Sequence, residues 1–454
     1  MKKLFGTDGI RGTAGAFPLD PRTVTRVGAA LARMLEKHGP SPASLLIGRD
    51  TRESGDWMER ALASGARRAG ARCVATGVIP TPGVAYLARS AGYTAGVMIS
   101  ASHNPYRDNG IKIFSASGYK LPDTEEMEIE ALVLDESADL PKAEYSPPEA
   151  SAAPEGLVAS YTTHLRESVD GTTFEGLKVV LDCANGASSE IAPRIFRDLG
   201  AEVEALFTTP DGRNINSGCG SLHPDRLATA VARSASDLGI AFDGDADRAL
   251  LVSGDGRIAN GDLLLYEAAS YLKARGMLPG DLVVATVMSN LWLERGLADI
   301  GVRLARTQVG DKYVLEEMLR TGAAVGGEQS GHIIFTDRAT TGDGILTALR
   351  LVQVMQATGE NVSQWLSRVK AYPQVLINVR VASRPDLEAH GVIGAEAARI
   401  RAELGGSGRL VLRYSGTEPL ARVMIEGVDQ SRVESLARAL AEVIRDQIGA
   451  VEET

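Results

Sequence analysis

Short apolar runs alternate with helix-like segments over most of the chain. The segment 56–69 has the period of a helix, with Ser54 or Asp56 as its N-cap, and it lies between apolar runs that favour strands. Those runs are SLLIG (44–48) and ARCVATG (71–77), followed by GYTAGVMIS (92–100) and GIKIF (110–114). Such alternation predicts largely parallel sheets, with ligand-binding loops at the carboxyl ends of the strands.

Changes in this pattern divide the chain into four parts. Residues 135–156 are rich in Pro, Ala, Ser and Glu without an apolar period, which is typical of a linker or a mobile surface segment. The last part has the order β-α-β-β-α instead of a simple alternation. We therefore expect three mixed α/β domains with layered sheets and a smaller C-terminal α+β domain. The predicted boundaries are 1–155, 156–255, 256–368 and 369–454.

Charge and cysteine usage narrow the possible functions. The 454 residues include 48 Lys and Arg against 58 Asp and Glu, and the net charge of −10 argues against nucleic acid or an anionic membrane as main partner. No apolar run reaches the roughly 18 residues of a transmembrane helix, and the first residues do not resemble a signal peptide. Cys73, Cys183 and Cys219 lie far apart, which predicts neither disulfides nor a zinc site but a reducing, cytoplasmic environment.

The sharpest local pattern is the acidic loop DGDADR (243–248). Asp243, Asp245 and Asp247 alternate between two apolar runs, and three carboxylates this close repel one another unless a cation binds them. A solvated acidic turn is the alternative. If a metal binds, Mg²⁺ is favoured over Ca²⁺ because few protein carboxylates are offered.

A serine follows the apolar run that ends near residue 100. In SASHNP (100–105), Ser102 stands beside His103 and could be an activated nucleophile. However, Ser, Asn and Pro are also common turn formers, and no recognisable triad completes the arrangement. The residues alone leave both readings open.

Two further loops carry polar groups suited to sugar phosphates. RYSGTEP (413–419) combines a guanidinium, two hydroxyls and backbone N–H groups, which suit a phosphate dianion, although an ordinary tight turn has the same composition. GGEQSGH (326–332) offers groups suited to sugar hydroxyls, or it is a polar hairpin. By contrast, GDGRIA (254–259) resembles a dinucleotide-binding pattern but contains the Asp-Gly pair of a hairpin turn.

Taken together and in order, five segments resemble the successive active-site loops of the α-D-phosphohexomutase superfamily. They are FGTDGIRG (5–12), SASHNP (100–105), DGDADR (243–248), GEQSGH (327–332) and RYSGTEP (413–419). The resemblance spans nearly the whole chain and implies four domains around a central cleft. The form of the first segment and the Gln in GEQSGH favour the branch that acts on glucosamine phosphates.

The resemblance implies a role for each matching residue. Ser102 would carry the phosphoryl group, and one Mg²⁺ would be bound by that group's oxygen and by Asp243, Asp245 and Asp247. The residues around the transferring phosphate would be Arg11, His103, Lys112 and Arg248, with Lys112 a candidate general acid or base. The sugar would be contacted by Glu328, Ser330 and His332. The other phosphate would be held by Arg413, Ser415, Gly416 and Thr417.

The implied reaction interconverts hexosamine 6- and 1-phosphates through a phosphoserine and a sugar 1,6-bisphosphate, which also serves as activator. The product would feed UDP-N-acetylglucosamine and cell-wall synthesis, and a homodimer is expected on the same ground. The alternatives are a phosphomannomutase/phosphoglucomutase of the same superfamily, a metal-dependent phosphohydrolase, and a non-catalytic sugar-phosphate sensor.

Overall fold

The computed structural model describes residues 4–6, 8–140, 151–415 and 419–450. The chain forms two compact units, one of Met1–Thr286 with Ala305–Ser367 and one of Val287–Leu304 with Arg368–Thr454. Within the described part of the chain, every helix is too short or too polar to cross a membrane.

The first part of the larger unit is built on a seven-stranded sheet of order β1-β2-β6-β5-β3-β4-β7. Strand β3 runs parallel to both β4 and β5, as the alternating pattern predicts, whereas β6 is antiparallel to β5. Its elements are β1 (Phe5–Gly6), β2 (Gly9–Thr13), α1 (Pro21–His38), β3 (Ser44–Arg49), α2 (Glu53–Arg68), β4 (Arg72–Val78), α3 (Thr81–Ser90), β5 (Ala95–Ile99), β6 (Asp108–Ser115), α4 (Asp123–Leu134) and β7 (Ser151–Ala152).

Helices α1 and α2 pack closely against each other beside this sheet. A Cβ on Gly28 would lie 2.0 Å from the carbonyl oxygen of Leu62, and one on Gly65 would lie 1.8 Å from that of Thr25. Two glycines therefore let the helix backbones touch. Helix α1 has no counterpart in the sequence predictions, although Asp20 is a typical N-cap and accepts a hydrogen bond from the Thr23 N–H.

The predicted start of helix α2 is wrong. The helix begins at Glu53, three residues before the predicted 56, and its N-cap residue is Arg52, not Ser54 or Asp56. Arg52 makes no side-chain capping bond, because a guanidinium has no acceptor for a backbone N–H. Its side chain instead contacts the Ser102 loop, as described below. In the predicted linker, residues 141–150 lie outside the described residues, and β7 pairs in parallel with β4.

The second part has a five-stranded sheet of order β12-β11-β10-β8-β9. Its central strand β10 is parallel to β8 and forms an antiparallel hairpin with β11, and the acidic loop joins these two strands. The elements are α5 (Leu157–Glu167), β8 (Lys178–Asp182), α6 (Ile191–Asp198), β9 (Glu202–Leu206), α7 (Asp225–Ser234), β10 (Leu238–Phe242), β11 (Ala249–Ser253) and β12 (Ile258–Ala259).

The third sheet has the order β14-β13-β15-β16, with β15 and β16 joined by the GGEQSGH hairpin. The elements of this part are α8 (Gly261–Ala274), β13 (Leu282–Thr286), α9 (Leu291–Asp299), β14 (Arg303–Thr307), α10 (Asp311–Thr321), β15 (Val325–Gly327), β16 (Ile333–Phe335), α11 (Gly344–Thr358) and α12 (Val362–Arg368).

The C-terminal part has the predicted β-α-β-β-α order. Its antiparallel sheet, of order β17-β19-β18, shares an apolar core with two helices. The elements are β17 (Gln374–Arg380), α13 (Gly391–Leu404), β18 (Gly408–Tyr414), β19 (Leu420–Gly427) and α14 (Gln430–Ile448). Three α/β parts and one α+β part confirm the predicted fold class.

Candidate active site

Ser102 stands on the loop that follows the buried strand β5. Its backbone is left-handed, with φ of +54°, which is uncommon for a residue other than glycine. Its Oγ donates a hydrogen bond to Oδ2 of Asp243 at 2.5 Å and lies 3.3 Å from Nδ1 of His103. The turn therefore directs the hydroxyl at the acidic loop, an arrangement that a solvent-facing turn would not need.

The three aspartates form a compact and buried cluster between β10 and β11. One carboxylate oxygen from each lies within 4.8 Å of the others. Oδ1 of Asp245 and Oδ1 of Asp247 are buried and accept no hydrogen bond from the described residues. Buried anionic oxygens without donors are costly, so this donor set fits a hard cation that prefers oxygen ligands.

Glycine allows the acidic loop to approach Ser102. A Cβ on Gly244 would lie 2.6 Å from the carbonyl oxygen of Ser102. A second glycine, Gly186, supports the acidic loop from the other side, where a Cβ would lie 2.3 Å from the Gly244 carbonyl oxygen. The position of Ser102 relative to the aspartates thus depends on direct backbone packing.

The charges in the cluster are strongly coupled. Burial, followed by the charges of Asp247 and Asp245, raises the pKa of Asp243 well above its usual value. Burial alone would also raise the pKa of Asp247, but Lys112, His332 and Arg248 together outweigh it and hold that pKa well below the usual range. Asp243 therefore binds a proton more readily than an ordinary aspartate, and Asp247 binds one less readily.

Lys112 on β6 is buried and its Nζ contacts three carboxylates. Its Nζ lies 3.0 Å from Oδ2 of Asp245, 3.2 Å from Oδ2 of Asp247 and 3.3 Å from Oδ2 of Asp8. Burial disfavours the charge, yet these carboxylates raise the pKa of Lys112 well above its usual value. The side chain is thus an ammonium in this state.

Three charged residues of the site were missed at the sequence level. Asp8 pairs with Arg11 and with Lys120, and Lys120 in turn pairs with Asp311 at the start of α10. Asp8 belongs to the FGTDGIRG segment, which was a usable signal. Lys120 and Asp311 lie in no motif, and 191 positions separate them in the chain.

Arg11 and His103 flank Ser102. NH1 of Arg11 reaches the Ala101 carbonyl oxygen at 3.5 Å, which places its guanidinium beside the serine loop. Burial, followed by the positive charges of Arg248 and Arg11, lowers the pKa of His103 to about 4. His103 is therefore neutral near pH 7 and is available as a hydrogen-bond partner.

The GGEQSGH hairpin carries the carboxylate, hydroxyl and imidazole that were predicted to bind the sugar. Oε1 of Glu328 accepts the N–H of Gly310 at 3.1 Å, and Ser330 Oγ lies 3.4 Å from Oε2 of Glu328. The amide of Gln329, by contrast, donates to Oδ2 of Asp262 at 3.1 Å and fastens the hairpin to α8.

His332 connects the hairpin to the acidic loop. Its Nδ1 lies 3.6 Å from Oδ1 of Asp247, and its Nε2 accepts the Gly342 N–H at 3.1 Å. Because a backbone N–H can only donate, Nε2 acts as the acceptor in this arrangement, and the ring N–H is assigned to Nδ1, facing Asp247. A Cβ on Gly342 would lie 2.5 Å from the ring, so glycine is required there.

The RYSGTEP segment belongs to the smaller unit. Arg413 lies on β18 opposite Arg422 of β19, and NH2 of Arg422 contacts the buried Ser415 Oγ at 3.3 Å. Gly416 and Thr417, which were also predicted to bind phosphate, lie outside the described residues. Arg413 and Arg422 therefore lie on the two strands that flank the predicted phosphate loop, whereas the motif itself contains one arginine.

Four family models match the chain in order and cover most of it. They are the phosphoglucomutase/phosphomannomutase α/β/α domains I (2–139), II (159–256) and III (260–372) and the C-terminal domain (376–443). The chain belongs to the phosphoglucomutase/phosphomannomutase family. The resemblance inferred from the five segments is thereby confirmed.

Two relatives are similar to the chain over almost its full length. The chain is 52% identical to a phosphoglucosamine mutase of Koribacter versatilis, over 99% of this chain and 98% of that one. It is 50% identical to a phosphoglucosamine mutase of Solibacter usitatus, over 99% of both chains.

Solved structures of phosphohexomutases share the fold. A phosphoglucomutase/phosphomannomutase family protein of Burkholderia thailandensis is 24% identical, with a TM-score of 0.80 over 99% of this chain and 100% of that one. The N-acetylphosphoglucosamine mutase of Aspergillus fumigatus, solved with GlcNAc-6P and magnesium, is 18% identical, with a TM-score of 0.69 over 98% and 96%.

Proposed function

We propose that this chain is a phosphoglucosamine mutase, which interconverts glucosamine 6-phosphate and glucosamine 1-phosphate. The observation that carries the proposal is the position of the Ser102 hydroxyl, 2.5 Å from Asp243 within a buried three-aspartate cluster. The naming of relatives about half identical over the full length supports the choice of sugar.

In the proposed reaction, phospho-Ser102 donates its phosphoryl group to the free hydroxyl of the bound sugar phosphate. The bond from phosphorus to Ser102 Oγ breaks and a bond from phosphorus to the sugar oxygen forms. The proton of the sugar hydroxyl ends on Ser102 Oγ, and a 1,6-bisphosphate results. The bisphosphate then reorients in the site, and its other phosphoryl group is transferred to Ser102. A sugar 1,6-bisphosphate in solution would phosphorylate resting enzyme and so act as activator.

Asp243, Asp245 and Asp247 would hold one Mg²⁺, with a phosphate oxygen on Ser102 completing its ligands. When bound, the ion supplies charge neutralisation at the transferring group. Three aspartates and a phosphoserine of about −2 carry about −5, and Mg²⁺ leaves about −3. Arg11, Lys112 and Arg248 match that remainder, while Asp8, Lys120 and Asp311 add a further net charge of about −1.

The surrounding residues have distinct proposed roles. The ammonium of Lys112 balances charge, and to act as the proposed general acid or base it would need a lower pKa than its carboxylate neighbours impose on it here. Neutral His103 orients the Ser102 oxygen. The sugar hydroxyls would be bound by Glu328 and Ser330, with His332 beside them. The phosphate that is not transferred would be bound by Arg413, Ser415, Gly416 and Thr417.

Preference for glucosamine is testable with three substrates. kcat/KM is measured for glucosamine, glucose and mannose 6-phosphates under identical priming with a sugar 1,6-bisphosphate. We expect the highest value for glucosamine and measurable turnover of glucose, because an amine and a hydroxyl at carbon 2 are similar in size. A higher value for mannose or glucose would instead identify a phosphomannomutase/phosphoglucomutase. Cytoplasmic location, homodimerisation and the lack of a nucleic-acid partner remain predictions.

A further inference from the structure

A buried arginine lies directly beneath the Ser102 loop. Arg52 is 1% exposed and stands between β3 and α2, outside the five active-site segments. The NH2 group of its guanidinium donates to the carbonyl oxygens of Ser102 at 2.9 Å and Asn104 at 2.8 Å. NH1 donates to the carbonyl oxygens of Asp108, at 2.9 Å, and Pro105.

Asp50 completes this arrangement and links it to the other side of Ser102. Its Oδ2 accepts Nε of Arg52 at 2.9 Å and the hydroxyl of Ser100 at 2.6 Å. Ser100 Oγ in turn accepts the N–H of Ser102 at 2.9 Å. All five N–H groups of the guanidinium thus have acceptors, and both the N–H and the carbonyl of Ser102 are held.

A residue from the second sheet region holds the same two carbonyl groups. Nδ2 of Asn216 donates to the carbonyl oxygens of Ser102 at 2.9 Å and Asn104 at 3.1 Å. Four N–H groups of two side chains therefore donate to the carbonyl oxygens of Ser102 and Asn104, two to each, and the φ of Ser102 is +54°. A left-handed serine persists only where its surroundings fix it.

We propose that Arg52 is a positioning residue for phosphoryl transfer, which holds Ser102 in the left-handed conformation that aims Oγ at Asp243. The inference rests on the proposed function, since it assumes that Ser102 is the phosphoryl carrier. Asp50 and Asn216 support the same conformation. Arg52 itself touches neither the hydroxyl nor the aspartate cluster.

The test compares Arg52→Lys with a matched variant, Arg26→Lys. Arg26 is a buried arginine of the same region that donates to the carbonyl oxygens of Leu132, Val133 and Asp135, far from Ser102 in sequence. Both variants lose a buried guanidinium that binds backbone carbonyls, so both should lower Tm. Only a positioning role predicts that kcat and the rate of Ser102 phosphorylation differ between the two variants.

We measure Tm, kcat, KM and the rate at which glucose 1,6-bisphosphate phosphorylates Ser102, followed by intact mass. For Arg52→Lys we expect kcat and the phosphorylation rate to fall by about 100-fold with KM little changed. Arg26→Lys should keep the wild-type kcat. Equal kcat values for Arg52→Lys and wild type would overturn the inference, whereas an unphosphorylated wild type would overturn the proposed function instead.

A second variant covers the case in which Arg52→Lys does not fold. Asn216→Ala removes two of the four donors and leaves the Arg52–Asp50 pair in place. We expect kcat to fall by about tenfold, the scale of one or two neutral hydrogen bonds, at constant KM. Wild-type kcat in Asn216→Ala would count against the positioning role.

Discussion

Asp245 contributes to the candidate site in two ways. Its Oδ2 accepts the hydroxyl of Thr81 at 2.5 Å and pairs with Lys112, while its buried Oδ1 remains available for a cation. One carboxylate therefore connects α3, β6 and the proposed metal. The loss of its charge should affect metal binding and turnover together.

Asp245→Asn tests this at the residue scale. We expect metal affinity to fall and kcat/KM to drop by about 100-fold or more, about 2.7 kcal/mol of transition-state stabilisation. Calorimetric Mg²⁺ titration measures metal affinity, and a coupled assay measures turnover. After chelation, addition of Mg²⁺ should restore the activity of the wild type but not that of Asp245→Asn. Asp255→Asn, on the half-exposed turn after β11, is the control and should behave as wild type. Undiminished Mg²⁺ affinity in Asp245→Asn would remove that aspartate from the ligand set.

His103 gives a prediction about pH. Burial, with Arg248 and Arg11 nearby, lowers its pKa to about 4 from an ordinary value of 6.5. The unfolded chain therefore takes up this proton first, and the free energy of unfolding should decrease as the pH falls from 6.5 towards 4. His103→Gln should flatten that slope. Histidine NMR on unphosphorylated, metal-free protein should give a midpoint near 4, and a midpoint near 6.5 would refute the assignment.

The elements that present the site were largely predictable. Strands β5 and β10 are apolar, and the polar loops that follow them stand out by contrast. The start of helix α2 was predicted wrongly, because its N-cap residue Arg52 has no side-chain acceptor and so gives no capping signal in the sequence. Its guanidinium instead contacts the Ser102 loop, 50 positions away. Local propensity contains no information about such a contact.

The backbone packing between two loops can be tested with one methyl group. Gly244→Ala would place a Cβ 2.6 Å from the Ser102 carbonyl oxygen. We expect a loss of about 1–3 kcal/mol in the free energy of unfolding, as for overpacked cores, together with reduced kcat. Gly391→Ala is the control, since a Cβ there meets no atom within 4 Å. Denaturant unfolding and steady-state kinetics measure both, and wild-type behaviour of Gly244→Ala would contradict the packing argument.

At the scale of the molecule, the site joins distant parts of one chain. Within the larger unit, Ser102 meets Asp243 and Lys120 meets Asp311, pairs that are 141 and 191 positions apart. The sequence-based resemblance predicted the first pair, because both residues lie in motifs. Physical patterns could not predict the second pair, since each residue resembles an ordinary surface charge until the fold brings them together.

The predicted phosphate loop belongs to the smaller unit, and Arg413 tests its role. Arg413→Ala should cost about 1.5–3 kcal/mol of substrate binding, the scale of charged hydrogen bonds. Arg413→Lys should recover little, because an ammonium cannot form the planar bidentate contact. Arg399→Ala, an ion-paired and half-exposed arginine of α13, should leave kcat/KM unchanged. An unchanged kcat/KM in Arg413→Ala would show that the loop is a structural turn and does not bind the phosphate.

The central claim is that Ser102 carries the phosphoryl group. Wild type, Ser102→Ala and the exposed control Ser117→Ala are incubated with a sugar 1,6-bisphosphate and Mg²⁺, and their intact masses are recorded. The account predicts one added phosphoryl group on wild type and on Ser117→Ala, none on Ser102→Ala, and mutase activity lost only in Ser102→Ala. A phosphorylated or near-normally active Ser102→Ala protein would contradict it.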